Sequence, residues 1–95
     1  MVSTEQIKKH LTGILAIPFE EVDSSNILLQ GYDEEGRILY LVFRPYKEGQ
    51  APQWVYQYKV NPVVYKNFLK AESKGKFFSD IIKQYAICKS PLNFK

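Results

Sequence analysis

Apolar residues recur at helical spacing near the start of the chain. Ile7, Leu11, Ile14 and Leu15 share one face between polar neighbours, which predicts a helix over residues 3–15. Ser3 is placed to cap it, Gln6 completes a capping box, and Val2 is set to staple against Ile7. Gly13 weakens the last turn and Pro18 stops the pattern. Phe19-Glu20-Glu21-Val22 reads as a further short turn or helix, and Ser24-Ser25-Asn26 as a loop. The period then changes. Residues 27–32 and 37–44 are short runs rich in apolar, β-branched and aromatic types, which predicts two strands. The polar turn Asp33-Glu34-Glu35-Gly36 joins them, with Gly36 free to take positive φ. Residues 45–52 read as a loop and 53–60 as a third strand. Asn61 and Pro62 open a helix as cap and first-turn proline. Val64, Tyr65, Phe68 and Leu69 form its apolar stripe, and Gly75 ends or kinks it. A last helix runs from about residue 76 to 85, with Phe77, Phe78, Ile81, Ile82 and Tyr85 inward. The tail 88–95 contains Pro91 and reads as irregular.

The order α-β-β-β-α-α predicts an α+β fold. Short connections favour a three-stranded antiparallel meander with 37–44 central. The two C-terminal helices cover one face of that sheet, and the N-terminal helix is added on the other. The 95 residues make one domain, a helical extension over 1–24 joined to an α+β core over 27–87.

Composition adds boundaries. At 45 % hydrophobic and 24 % charged, the chain is ordinary for a globular fold. The single cysteine, Cys88, excludes an internal disulfide and points to a reducing compartment. There is no signal pattern at the start and no apolar run of about 18 residues, so the expected setting is cytoplasmic, without a membrane partner. The net charge of +3 hides an asymmetry. Residues 1–43 hold three Lys/Arg against seven carboxylates; residues 44–95 hold ten against three. A basic half favours an anionic partner, nucleic acid first.

Catalytic chemistry finds little support. Cys88 and His10 cannot build a zinc site between them, and no nucleophile elbow or phosphate loop occurs. The carboxylates Glu20/Glu21 and Asp33/Glu34/Glu35 lie in a polar stretch and a turn, which reads as a solvated turn and not a general acid/base pair. A protein without catalytic residues, metal or cofactor is expected. Trp54, Tyr56, Tyr58 and Val60 alternate along the third strand and so share a face, with Lys59 on the other. Lys66, Lys70 and Lys74 follow at spacings of four, and Arg44 and Lys47 flank the 45–52 loop. Rings beside lysines suit a single-stranded nucleic-acid platform. A row of aromatics on one strand face is more often core, and core packing under the helices is the favoured reading for Tyr56 and Tyr58.

A series of short motifs points to a family. Tyr32-Asp33, Leu39-x-Leu41-x-Phe43, Tyr56-x-Tyr58, Val60 with Pro62, Val64-Tyr65, Leu69, Ala71-x-Ser73-x-Gly75, Phe77-Phe78, Ile81 and Tyr85 occur in order. Over residues 32–85 the chain thereby resembles the KTSC domain, a module named for the C-terminus of some lysyl-tRNA synthetases. It departs from the family in a longer stretch between Phe43 and Tyr56 and in the extra Asn61 before Pro62. The resemblance implies a binding module without established catalytic residues, and a suggested role with RNA. The expected function is binding of RNA or single-stranded nucleic acid through Arg44, Lys47, Trp54, Tyr56, Tyr58, Lys59, Lys66, Lys70 and Lys74. The alternative is a protein-interaction module, such as a small phage or viral protein engaging a host factor.

Overall fold

The computed structural model describes residues 3–45 and 52–92. Helix α1 (Thr4–Leu15) begins as its cap chemistry dictates. Ser3 Oγ accepts from the Gln6 amide at 3.2 Å, and Gln6 Oε1 accepts from the Ser3 amide at 2.7 Å. Ile7 and Leu11 are buried and Leu15 partly so, but Ile14 is exposed and drops out of the stripe. Val2, the other half of the expected staple, lies outside the described residues. The helix runs through Gly13 and ends at Ala16, whose φ of 57° turns the chain back.

That reversal, followed by Pro18, yields a strand and not the expected turn or helix. β1 (Phe19–Glu21) pairs antiparallel with β2 (Ile27–Asp33), with Phe19 opposite Gly31. The pairing needs glycine there, since a Cβ on Gly31 would stand 3.0 Å from three atoms of the Phe19 ring. β2 pairs with β3 (Ile38–Phe43), which pairs with β4 (Trp54–Lys59). The three-stranded meander is therefore present, with β3 central, but as the middle of a five-stranded antiparallel sheet ordered β1-β2-β3-β4-β5. Of the tail, residues 88–91 are not irregular but belong to β5 (Ala86–Pro91), which pairs with β4; residues 93–95 lie outside the described residues. The side chains of β5 are almost all exposed, so backbone pairing holds it without any apolar alternation to announce it. Pro91 is tolerated because β5 is an edge.

In the 33–36 turn, Asp33 Oδ1 accepts from the amides of Glu35 at 3.1 Å and Gly36 at 3.2 Å. The left-handed residue is Arg37, φ 56°, and not Gly36. What Gly36 supplies is room: a Cβ there would lie 2.9 Å from Asp33 Oδ2.

Helix α2 (Pro62–Lys70) starts at its Asn61 cap, whose Oδ1 accepts from the Val64 amide at 2.9 Å. It stops at Ala71, ahead of Gly75. Gly75 falls instead in the first turn of α3 (Lys74–Asp80), which Ser73 caps, and is buried against Asn26. The expected last helix is split, since α3 ends at Asp80 and a 3₁₀ turn follows over Ile82–Tyr85. Helical spacing from Ile81 to Tyr85 thus no longer applies, and Tyr85 is exposed. Leu69 is also exposed, at 42 %, because α2 meets the sheet through the narrow stripe of Val64, Tyr65 and Phe68.

Both faces of the sheet are covered. Between the sheet and α2 and α3, Ile27, Tyr32, Leu39, Leu41, Tyr58 and Val60 pack with Phe68 of α2 and Ile82 of the 3₁₀ turn. Under α1 lie Phe19, Leu28, Leu29, Tyr40, Val42 and Val55 with Ile7 and Leu11. A bulge between Ile27 and Leu29 lets Leu28 and Leu29 turn to the same face.

Candidate functional site

Register decides which of the nine candidate residues stand together. Ile38 pairs with Lys59, whereas Arg44 follows Phe43 at the other end of β3. Six residues of strand put Arg44 and Lys59 about 20 Å apart. They also have separate tasks. Lys59 Nζ donates to the Gly36 carbonyl at 2.7 Å, and its strand partner Ile38 packs on the α1 face. Arg44 Nε donates to the Ser24 carbonyl at 2.7 Å and Nη2 to the Val22 carbonyl at 3.2 Å. Its guanidinium is thus a clamp on the loop before β2. Lys47 lies outside the described residues.

Lys66 and Lys70 are exposed on the outer side of α2, one turn apart. Lys74 follows at the start of α3 with Nζ 3.4 Å from the Ala71 carbonyl. This end of the helix layer meets the Ser24–Asn26 loop, which Gly75 touches and Arg44 holds. Lys66 and Lys70 therefore lie about 6 Å apart along α2, and Lys74 follows after the break at the start of α3. Lys59 does not join them, because Lys59 emerges on the α1 side.

The aromatic strand divides as well. Tyr58 is only 4 % exposed and meets Phe78 edge to face with ring centroids 5.3 Å apart. It is core, removed from any stacking surface because α3 lies over it. Tyr56 is half-buried, edge-on to Phe43 at 5.3 Å. Trp54 is 36 % exposed at the margin of the sheet. Lys89, paired with Tyr56 across β4 and β5, holds its ammonium 4.3 Å from the Trp54 ring centroid and 6.0 Å from that of Tyr56. The sequence did not bring Lys89 forward, because its place depends on β5 pairing. Its position two residues before Pro91 carries no such signal.

The arrangement offers ring faces and ammonium groups. Among the described residues, no three His, Cys, Asp or Glu side chains come together to hold a metal ion, and no helix is long and apolar enough to cross a membrane.

Comparison with known proteins accounts for much of this frame. A KTSC domain protein of Yersinia pestis, known from a crystal structure, aligns with a TM-score of 0.64 and 33 % identity. The alignment takes in 81 % of this chain and 99 % of that one. No curated protein matches the chain. The KTSC domain family model matches residues 23–85, and so begins ahead of β2 and ends at Tyr85, leaving α1, β1 and β5 outside. Within that span the Tyr56-x-Tyr58 pair sets one ring at the margin and one in the core, under the helices that Asn61 and Ser73 cap. By that match over most of its length, the chain belongs to the KTSC domain family.

Proposed function

We propose that this protein is a binding module without catalytic activity that takes single-stranded nucleic acid, RNA first, on the half built from β4 to β5. The observation that carries the reading is the Trp54 ring at the sheet margin with the Lys89 ammonium 4.3 Å away. A base stacks on such a ring in any sequence, because every base has a π-face. An exposed cation–π contact is worth only about 0.5–1 kcal/mol, so Lys89 can exchange the ring for a phosphate at small cost. Apart from Lys59, which faces the α1 side, residues 52–92 supply Lys66, Lys70, Lys74, Lys76, Lys83 and Lys89 against Glu72 and Asp80 alone.

The test is anisotropy of a labelled single-stranded RNA at two salt concentrations. Binding falls steeply as salt rises, since neutralised phosphates release counterions. Trp54→Ala weakens it by about 1–3 kcal/mol. Changing Lys66 and Lys70 to Glu weakens it nearly equally across sequences, since phosphate contacts carry no sequence information. No binding by the unaltered protein at low salt overturns the reading.

A second reading rests on β5. Among the described residues it pairs only with β4, and Ile87 is 52 % exposed on it. An extended segment of a protein partner adds to such an edge through its backbone. A small phage or viral protein would engage a host factor in this way. Recovery of one protein partner that survives nuclease and high salt favours this reading over the first.

A further inference from the structure

On the face that α2 covers, the helix layer stops short of β1. The gap is a cleft of about 260 Å³ lined by Pro18, Glu20, Gln30, Tyr32, Glu34 and Tyr65. Tyr32 and Tyr65 are stacked, with centroids 4.1 Å apart and planes 13° from parallel. Both rings are pinned. Tyr32 donates its hydroxyl proton to the Val60 carbonyl at 2.6 Å, and Tyr65 donates to Gln30 Oε1 at 2.9 Å. Gln30 is only 4 % exposed, and its Nε2 donates to Glu20 Oε2 at 3.5 Å. The cleft thus combines a fixed aromatic pair, a buried amide and two wall carboxylates. Its surroundings are acidic. Burial is the main influence on both phenols; beyond it Glu34 acts on both, Glu20 on that of Tyr65 and Asp33 on that of Tyr32, where Arg37 is the opposing cation.

We propose that this cleft binds a guanidinium group. A guanidinium is planar, stacks on an aromatic face and offers a fork of N–H donors to carboxylates. Glu20 and Glu34 supply the carboxylates, Tyr65 the ring, and Gln30 Oε1 keeps a second lone pair after accepting from Tyr65. An ammonium group meets the charges and can sit over a ring, but it is a point charge and lacks the planar fork that pairs with carboxylates while lying flat on the ring. A divalent cation such as calcium wants six or more oxygens, beyond what these side chains provide. The cleft repels phosphate, so the inference stands apart from the nucleic-acid reading. An arginine in a partner chain and a small arginine derivative present the same group.

The test is an amide-resolved NMR titration with acetyl-Gly-Arg-Gly-amide, its lysine and citrulline counterparts, and N-acetylarginine amide. The arginine peptide produces saturable shifts at Glu20, Gln30, Tyr32, Glu34 and Tyr65, and the citrulline peptide produces none. Glu20→Gln and Glu34→Gln each weaken binding about tenfold, the loss of one charge-assisted contact, while the rest of the spectrum stays in place as proof of fold. Tighter binding of the peptide than of N-acetylarginine amide assigns the site to a partner chain, and equal binding assigns it to a small ligand; both support a guanidinium site. The proposal is overturned by an absence of saturable shifts, by equal response to the citrulline peptide, or by unchanged affinity in both Gln variants.

Discussion

Tyr58 carries its phenol into the layer between sheet and helices, where burial pushes its ionisation upward. Tyr32, Tyr40 and Tyr65 are shifted the same way, with burial the largest cause in each. The unfolded phenol ionises near pH 10. Below that value both states hold the proton and the stabilisation is complete. Above it the unfolded chain releases protons that the native state still keeps, so stability falls as pH rises. The urea midpoint should therefore drop as pH is taken from 9 to about 11, and Tyr58→Phe should make the drop shallower; an equal slope in the variant would remove Tyr58 from the account. Phe68, fully buried against Phe77, tests the core directly. Phe68→Ala should cost about 3–5 kcal/mol. Leu69→Ala, one position along and 42 % exposed, should cost far less. Equal shifts in denaturant midpoint would contradict this placement of the α2 stripe.

Among the elements, legibility followed how locally each one is determined. The starts of α1 and α2 are written in neighbouring residues, Ser3 with Gln6 and Asn61 with Pro62, and both are present as the spacing predicts. Strands β2, β3 and β4 carry apolar side chains into the two cores, so their composition shows them. Edge strands are different. β1 has two glutamates in three residues and sends only Phe19 into the core, and β5 buries almost nothing, so each depends largely on a neighbouring strand's backbone that no local pattern encodes. The candidate site inherited that gap. Lys89 became visible only once β5 was paired, and the separation of Arg44 from Lys59 comes from register, which spacing along the chain does not reveal. The cap of α2 gives the test at this scale. Asn61→Ala removes the acceptor for the Val64 amide and should cost about 1 kcal/mol. Asn61→Asp keeps an acceptor oxygen and adds a favourable charge at the helix start, and should be close to neutral. If urea midpoints fall equally in both, the cap oxygen is not what starts the helix.

For the whole molecule, charge is divided between the two halves of the chain. The cleft beside β1 draws its carboxylates from the acidic first half, while α2, α3 and β5 carry lysines from the basic second half. On the proposed reading, this division orients a nucleic acid before contact, toward the helix layer and the Trp54 margin and away from β1. Position within the fold, more than lysine count, then sets the salt dependence. For single strands, each phosphate neutralised contributes about −0.7 to the slope of log affinity against log salt. Lys66→Gln with Lys70→Gln should thus make the slope shallower by about 1.4. Glutamine is the cleaner replacement, since glutamate would add repulsion of its own and, at Lys70, place a negative charge in the last turn of α2. Lys59→Gln removes the same formal charge from the same half of the chain, yet Lys59 faces the α1 side and its ammonium holds the Gly36 carbonyl. Its slope should match that of the unaltered protein. The measurement is RNA affinity at four or more salt concentrations for the three proteins, each checked for an unchanged unfolding midpoint. A slope made shallower by Lys59→Gln by about half the change seen in the double variant, one phosphate contact's worth, would mean that RNA answers to net charge and follows no path on this surface.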